Sequence, residues 1–114
     1  MSFPRRGELY WVTLDPTIGS EIAKTRPAVV ISNDVGNQYA DRVIVAPISS
    51  GSTDKIYPFE VLLQAAEAGL PKASKVLLDQ IRTVDKQRLG ARIGVLTSQR
   101  MEEVNRAVRL SLAV

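Results

Sequence analysis

The sequence has no cysteine and no histidine among its 114 residues, and aromatic residues make up only 5% of it. Without cysteine there are no disulfides, no thiolate nucleophiles and no zinc–cysteine sites. Without histidine, the usual acid–base group of neutral pH and the commonest metal ligand are missing. Any reaction of this protein therefore proceeds without imidazole or thiol, and we expect neither a metal nor a cofactor.

Long hydrophobic runs are also missing. No segment approaches the roughly 20 apolar residues of a membrane helix. No apolar run follows the arginines of Met1–Arg6, as it would in a signal peptide. We therefore expect a cytoplasmic protein with no membrane contact. The length suits a single domain over residues 1–114, and a hydrophobic content of 45% can supply its core.

Basic residues are in modest excess over acidic ones. The formal net charge is +3, and the excess lies in the second half: six basic residues face six acidic ones through Tyr57, and nine face six from Pro58 onward. Such a bias permits a nucleic-acid partner. It is equally typical of a solvated surface, so charge alone does not decide.

Six segments rich in β-branched and aromatic residues predict strands. They are Gly7–Leu14, Pro27–Ser32, Arg42–Ser49, Phe59–Leu63, Lys75–Val84 and Ala91–Leu96. Asn33–Asn37 has the composition of a turn, and Gln64–Ala68 is too short to form more than one helical turn.

The C-terminal segment has helical periodicity. We predict a helix with Ser98 as its N-cap and with Glu102 and Glu103 in its first turn. Its apolar face would carry four residues: Met101, Val104, Val108 and Leu112. The order of elements predicts a mainly β (α+β) fold, a small bent antiparallel sheet or barrel capped by this helix. No segment between the strands is long enough for the crossover helices of a Rossmann fold.

Three segments contain residues that could carry chemistry. Lys24–Pro27 ends a long loop and places the Arg26 guanidinium, a fork of donors matched to phosphate, directly before a strand that would hold it rigidly. Ser49 and Ser50 follow an apolar strand and should point to opposite faces, so only one can join a given site. In Asp79–Lys86, Gln80 and Arg82 would share a solvent face able to bind an extended ligand.

Each of these segments also has a purely structural interpretation. Loop glycines serve turns, serines at a strand exit often form turns, and a half-buried strand commonly exposes polar residues. Tyr10 and Trp11 are expected to be core or strand residues rather than stacking platforms for bases.

The order of the motifs resembles the MazF/PemK toxin endoribonucleases of bacterial toxin–antitoxin systems. The segments that carry the resemblance are Arg6-Gly7-Glu8, Leu14-Asp15-Pro16, Gly19-Ser20-Glu21, Lys24-Thr25-Arg26-Pro27-Ala28-Val29-Val30, Asn33-Asp34 and Asp79-Gln80-Ile81-Arg82-Thr83-Val84-Asp85. The resemblance implies an SH3-like, CcdB/PemK-like barrel with a C-terminal helix. It further implies a homodimer that cleaves single-stranded RNA at short sequences, and an antitoxin whose extended acidic segment occupies the RNA groove.

Carried over residue by residue, the resemblance implies that Arg26 and Ser49 are catalytic. Many family members have threonine where this chain has Ser49. Serine keeps the hydroxyl but lacks the methyl group that restricts the rotamer. The loop from Ile18 to Thr25 is expected to cover the site. The candidates for RNA contact are Gly19, Glu21, Lys24, Gln80 and Arg82.

The mechanism expected from these residues uses the substrate's own nucleophile. The ribose 2′-hydroxyl attacks the adjacent phosphorus and leaves a 2′,3′-cyclic phosphate and a 5′-hydroxyl, while Arg26 and Ser49 stabilise the phosphorane. Two alternatives remain open. One is a CcdB-like toxin that poisons DNA gyrase without catalysis, and the other is a noncatalytic RNA-binding module. For the homodimer, the strand faces Val43–Ile48 and Leu77–Ile81 and the Val108 side of the helix are candidate contact surfaces.

Overall fold

The structure is a computed structural model that describes residues 2–114. It contains seven strands and two helices. The strands are β1 Glu8–Thr13, β2 Thr25–Val30, β3 Arg42–Ser49, β4 Glu60–Leu63, β5 Ser74–Leu77, β6 Arg82–Asp85 and β7 Leu89–Val95. The helices are α1 Asp34–Tyr39 and α2 Ser98–Leu112, and single 3-10 turns lie at Glu67–Gly69 and Lys86–Arg88.

The strands form one bent antiparallel sheet in the order β4-β5-β3-β2-β1-β7, with β6 also paired to β3. The long strand β3 makes this bend possible. Its first half pairs with β6 and its end pairs with β5, so two consecutive strands lie along the same edge of β3. The predicted mainly β architecture with a C-terminal helix is confirmed.

The predicted single strand Lys75–Val84 is wrong. The chain turns between Leu77 and Arg82, where the Gln80 amide donates to the Leu77 carbonyl at 3.2 Å. The apolar run continues through this turn because Leu78 is fully buried. A continuous apolar pattern therefore concealed the break.

The segment predicted as a turn after β2 is instead the short helix α1. Asn33 caps it by accepting a hydrogen bond from the Gly36 amide at 2.7 Å. The buried Asn37 side chain donates to the Ser32 carbonyl at 2.9 Å and to Asp34 Oδ1 at 3.1 Å. Gly36 and Asn37 are poor helix formers, so local propensity gave no sign of a helix that these contacts stabilise.

The C-terminal helix is present, but its details differ from the prediction. Thr97, not Ser98, is the N-cap, and its hydroxyl accepts from the Arg100 amide at 3.2 Å. The first turn contains no acidic residue, and Glu103 instead pairs with Arg100. Val104 lies in the core as expected, whereas Leu112 is exposed.

The core consists of two clusters on the two faces of the curved sheet. One cluster lies under α2 and includes Leu9, Val29, Ile48, Val76 and Val104. The other lies in the concave part of the sheet and includes Val12, Leu14, Ala28, Val45 and Val84.

Most of the strand residues suggested above as dimer contacts belong to these clusters. Val43, Val45, Ala46, Ile48, Leu77 and Leu78 are all buried within the chain itself. Ile44, within the first of these strand segments, is 37% exposed, and further exposed apolar residues lie at the C-terminal end of the chain, at Leu110, Leu112 and Val114. Neither helix of the described residues has the length and apolar content needed to cross a bilayer.

Candidate active site

Arg26 lies inside β2 rather than before it, because this strand begins two residues earlier than predicted. Its side chain is half-buried, and its Nε donates to the Ala23 carbonyl at 2.8 Å. This bond fixes the direction of the guanidinium against the preceding loop. Within residues 2–114, the two terminal nitrogens make no hydrogen bond or salt bridge, so they are available to an anion.

Ser49 is the last residue of β3, and the strand register relates it to Arg26. β2 and β3 pair with Ala28 opposite Pro47 and Val30 opposite Val45. Continuing this register toward the strand ends puts Arg26 across from Ser49. Opposed residues of antiparallel strands project from the same face of a sheet. The geometry therefore assigns Ser49, and not Ser50, to the face that carries the Arg26 side chain.

The Ser49 hydroxyl also has a local contact. Its Oγ accepts from the Gly51 amide at 3.1 Å, while its residue remains half-buried. A hydroxyl oxygen that accepts one hydrogen bond can still donate its own proton. Ser49 is thus oriented by the backbone of the following loop and retains the donor that a phosphate oxygen would use.

Two cavities flank the end of β2. The first, of about 330 Å³, is called the Trp11 cavity. Its wall includes Trp11, Lys24, Arg26, Ser50, Pro71 and Lys72. The second, of about 370 Å³, is called the Gln80 cavity, and it is lined by Glu21, Ile22, Asp79, Gln80, Ile81 and Arg82. The sequence-predicted contacts are therefore divided between two adjacent depressions.

A short piece of loop separates the two cavities and is held from both sides. Gln80 Oε1 accepts from the Ile22 amide at 2.7 Å, and Arg26 reaches the neighbouring Ala23 carbonyl. Gln80 and Arg26 therefore fix consecutive residues of the loop. The two side chains therefore hold the same short piece of loop, although Gln80 and Arg26 are far apart in sequence.

The other predicted RNA contacts occupy different environments. Arg82 donates from Nη1 to the Leu14 carbonyl at 2.9 Å, so part of its guanidinium anchors the loop. Glu21 Oε1 accepts from the Ile18 amide at 3.3 Å within the loop itself. Gly19 is exposed with φ +60°, and a Cβ there would meet nothing within 4 Å, so its backbone conformation is what requires glycine.

Lys24 has an unusual backbone. Its φ is +72°, a left-handed conformation that costs a lysine energy, and its carbonyl accepts from the Leu14 amide at 2.9 Å. Lys24 therefore closes the base of the loop with its backbone and presents an exposed side chain to the Trp11 cavity.

Sequence reasoning missed two features of this site. Trp11 was expected in the core or strand, and it does lie in β1, but it is 43% exposed and faces a cavity. Arg88 was not singled out, yet its Nη1 donates to the Thr13 and Asp15 carbonyls at 3.0 and 2.6 Å. Neither signal is visible in local spacing, because the partners of Arg88 lie more than 70 residues away.

Residues 2–114 contain no group of three or more carboxylate side chains placed to hold one metal ion. The site is instead defined by cationic groups at the end of a strand, beside a hydroxyl and two cavities. The fold and site together define a small β-barrel protein with a cleft at the strand ends. The charged residues of its Trp11 cavity are all cationic, whereas the Gln80 cavity also carries Glu21 and Asp79.

Comparison with known proteins gives this class a family. The family model described as "PemK-like, MazF-like toxin of type II toxin-antitoxin system" matches residues 5–112. The chain is 40% identical over 110 residues to the endoribonuclease EndoA of Bacillus subtilis, covering 96% of this chain and 95% of that protein. The protein therefore belongs to the PemK/MazF toxin family.

Solved structures support the same assignment. The fold matches MazF of Deinococcus radiodurans with a TM-score of 0.86 and 29% identity, and all of both chains is covered. It also matches a MazE–MazF structure from the same organism with a TM-score of 0.77 and 26% identity, covering 100% of this chain and 99% of the other. The expected PemK-like barrel with a C-terminal helix is confirmed.

Proposed function

We propose that this protein is a toxin endoribonuclease that cleaves single-stranded RNA at short sequences and is inhibited by a cognate antitoxin. The proposal is supported by the Arg26 guanidinium, whose terminal nitrogens have no hydrogen-bond partner within residues 2–114 and which comes opposite Ser49 when the β2–β3 register is continued. The name of the Bacillus subtilis relative, an endoribonuclease, supports it. We treat residues 1–114 as one toxin domain.

The proposed reaction draws its nucleophile from the substrate. The ribose 2′-hydroxyl loses its proton and attacks the adjacent phosphorus, the bond to the 5′-oxygen breaks, and that oxygen takes up a proton. The products carry a 2′,3′-cyclic phosphate and a 5′-hydroxyl. Arg26 stabilises the negative charge that develops on the phosphorane, and Ser49 donates a hydrogen bond to it. A guanidinium holds its proton too tightly to be a good general base, so the role of Arg26 is electrostatic. This scheme requires no metal.

The remaining predicted contacts receive two kinds of role. Lys24 and Gln80 are proposed to bind RNA, because the Lys24 ammonium is exposed and the Gln80 side-chain amide retains its donors while its oxygen holds the loop. Glu21 lines the same cavity as Gln80 and is proposed to contact a base, and Gly19 to shape the loop. Arg82 contributes to RNA binding chiefly by positioning the loop through Leu14.

The partners follow from the same proposal. The structural relative from Deinococcus radiodurans is a MazE–MazF structure, and we propose that an antitoxin with an extended acidic segment occupies the cleft at the strand ends of this protein. We also propose a homodimer acting on transcripts in the cytoplasm. Sedimentation at micromolar concentration tests the dimer, and a mass equal to that of the monomer would refute it.

Cleavage of a long single-stranded transcript, with mapping of both ends, tests the activity. We expect cleavage that persists in EDTA, cyclic phosphate ends, and no cleavage where the nucleotide at the cut carries 2′-deoxyribose. Ser49→Ala should lower the rate about 10²- to 10³-fold, and Arg26→Ala at least as much, as the loss of one preorganised donor predicts. Ser98→Ala, at an exposed serine of α2 that lines neither cavity, is the matched control and should retain most activity.

Three results would contradict the proposal. Intact transcripts after incubation with the wild-type protein would favour a noncatalytic toxin or a binding module. Efficient cleavage of the deoxy substrate would exclude the 2′-hydroxyl mechanism, and loss of activity in EDTA would indicate a metal. An Arg26→Ala/Ser49→Ala double variant that cuts as fast as wild type would remove both residues from catalysis.

A further inference from the structure

The Trp11 cavity contains an exposed indole that the core packing does not explain. Leu9, on the same face of β1, is buried in the cluster that includes Val104 of α2, whereas Trp11, two residues further on, does not belong to that cluster. Trp11 is therefore left 43% exposed at the wall of a cavity of about 330 Å³. An exposed aromatic residue in a concave site is typical of ligand binding.

The charges around this cavity have one sign. Lys24, Arg26 and Lys72 line it, and none of its lining residues is acidic. Within the described residues, the ammonium groups of Lys24 and Lys72 make no salt bridge or hydrogen bond. Pro71 and the buried Leu70 add apolar surface beside the indole. The cavity thus combines a flat aromatic wall, apolar sides and unpaired cations at its border.

This combination matches the chemistry of a nucleotide, which joins a planar ring to an anion. We propose that the Trp11 cavity is a base-binding subsite for the nucleotide adjacent to the scissile phosphate, with the base stacked on Trp11 and its phosphate paired with Lys72. The inference rests on the proposed function, because Arg26 at the border of the cavity is what connects it to the reacting phosphate. Stacking on aromatic rings is the common way in which proteins bind unpaired bases.

Trp11 provides its own probe because it is the only tryptophan in the chain. The ligand is an RNA oligonucleotide that covers a mapped cut site, carries 2′-deoxyribose at the cut and bears a fluorescent label for anisotropy. As this RNA binds, the indole fluorescence should fall and its quenching by acrylamide should decrease. An abasic substitution at one nucleotide beside the cut should restore both signals, while abasic substitutions further away should not.

Two variants and a control separate stacking from charge. Trp11→Ala should weaken binding of this RNA roughly 5- to 100-fold, and Trp11→Phe should recover most of that loss. Lys72→Gln should make the dependence of affinity on salt less steep by about one phosphate contact. Arg106→Gln serves as the control, since Arg106 is an exposed cation of α2 in a different groove, and it should change neither quantity.

The outcomes distinguish this inference from the proposed function. RNA that binds and is cut by wild-type protein, but leaves the indole fluorescence and its acrylamide quenching unchanged, would overturn the subsite and leave the nuclease intact. Quenching by an acidic peptide but not by RNA would overturn it in favour of an antitoxin site. Failure of the wild-type protein to cut any transcript would refute both proposals.

Discussion

Two loops border the strand ends that carry Arg26 and Ser49, and they are held in place in different ways. The first, residues 14–24, joins β1 to β2, and the second, residues 50–59, joins β3 to β4. The first is held by several side chains that reach its backbone carbonyls and amides from distant parts of the chain. The second depends on one buried ion pair. The first loop is therefore anchored at several points along its length, and the second is anchored at one point.

The first loop is held by three residues that follow β5. Gln80 binds the Ile22 amide, Arg82 binds the Leu14 carbonyl, and Arg88 binds the carbonyls of Thr13 and Asp15. Each of these side chains is half-buried. Because the contacts are spread along the loop, loss of any one should loosen part of it and leave the rest in place.

The second loop is held by Lys75 and Glu60. Lys75 Nζ lies 3.0 Å from Glu60 Oε1 and donates to the Lys55 carbonyl at 3.3 Å, while the same carboxylate accepts from the Tyr57 amide at 3.0 Å. The side chains of Lys75 and Glu60 are only 8% and 7% exposed. Each of these two buried charges needs its partner for the fold to be stable, since an unpaired buried ion is strongly destabilising.

The largest effect should come from breaking this buried pair. Glu60→Ala leaves the Lys75 ammonium buried without its carboxylate and should lower the free energy of unfolding by about 3 to 5 kcal/mol. Urea unfolding measures this loss. The double variant Lys75→Met/Glu60→Leu removes both charges and should recover most of it, because apolar residues of similar volume often replace a buried pair without cost. Equal losses in the single and double variants would contradict this account.

A smaller and more local effect is expected in the first loop. Arg82→Ala removes a charge-assisted hydrogen bond to Leu14 and should cost about 1.5 kcal/mol of unfolding free energy. Hydrogen exchange at the Leu14 amide, which bonds to Lys24, should accelerate, whereas exchange at the Val29 amide in β2 should not. Gln80→Ala is the matched variant and should accelerate exchange at Ile22 instead. Uniform acceleration across the sheet would contradict distributed anchoring.

These contacts also show what the sequence could and could not predict. Local patterns of apolar residues determine elements such as the strand Arg42–Ser49 and the helix α2. The fold class and most elements were therefore predictable from the sequence. The anchoring of the loop by Arg82 and Arg88 was not, because a bond from a side chain to a distant carbonyl leaves no spacing signal. The sequence pattern did not reveal the turn between β5 and β6, because Leu78 within that turn is buried and continues the apolar run.

Only part of the candidate site could be read from the sequence, and the catalytic roles assigned there stay predictions. Family resemblance identified Arg26 and Ser49, and strand pairing is consistent with their shared face. The exposure of Trp11 could not be read from alternation, since its neighbour on the same face, Leu9, is buried. It depends on which elements pack over that part of β1, which is a tertiary property.

A smaller change in stability, of opposite sign, is expected at Lys24, whose backbone closes the base of the first loop. Lys24 has φ +72°, and Lys24→Gly removes the penalty that a side chain incurs in this conformation. We expect the free energy of unfolding to rise by about 1 kcal/mol, measured by urea unfolding. Lys24→Ala keeps the strain and removes the charge, so its stability should match the wild type. Both variants should bind RNA more weakly, and a Lys24→Gly protein less stable than Lys24→Ala would refute the role of strain.

The smallest change in stability is expected from the ion pair of Arg100 and Glu67. This pair holds neither loop, so it serves as a reference for the contacts that do. Arg100 Nε lies 2.6 Å from Glu67 Oε2, and the hydrogen bond from Arg100, despite the opposing effect of burial, holds the pKa of Glu67 below its usual value. A carboxylate with a lowered folded-state pKa stabilises the fold above its unfolded pKa and loses that contribution as the pH falls through the folded value. The free energy of unfolding, measured with urea, should therefore decrease from neutral toward acid pH. Arg100→Gln should reduce this decrease by less than about 1 kcal/mol, because the pair is partly exposed. A larger reduction than the loss caused by Glu60→Ala would mean that burial is not what makes the Lys75–Glu60 anchor important.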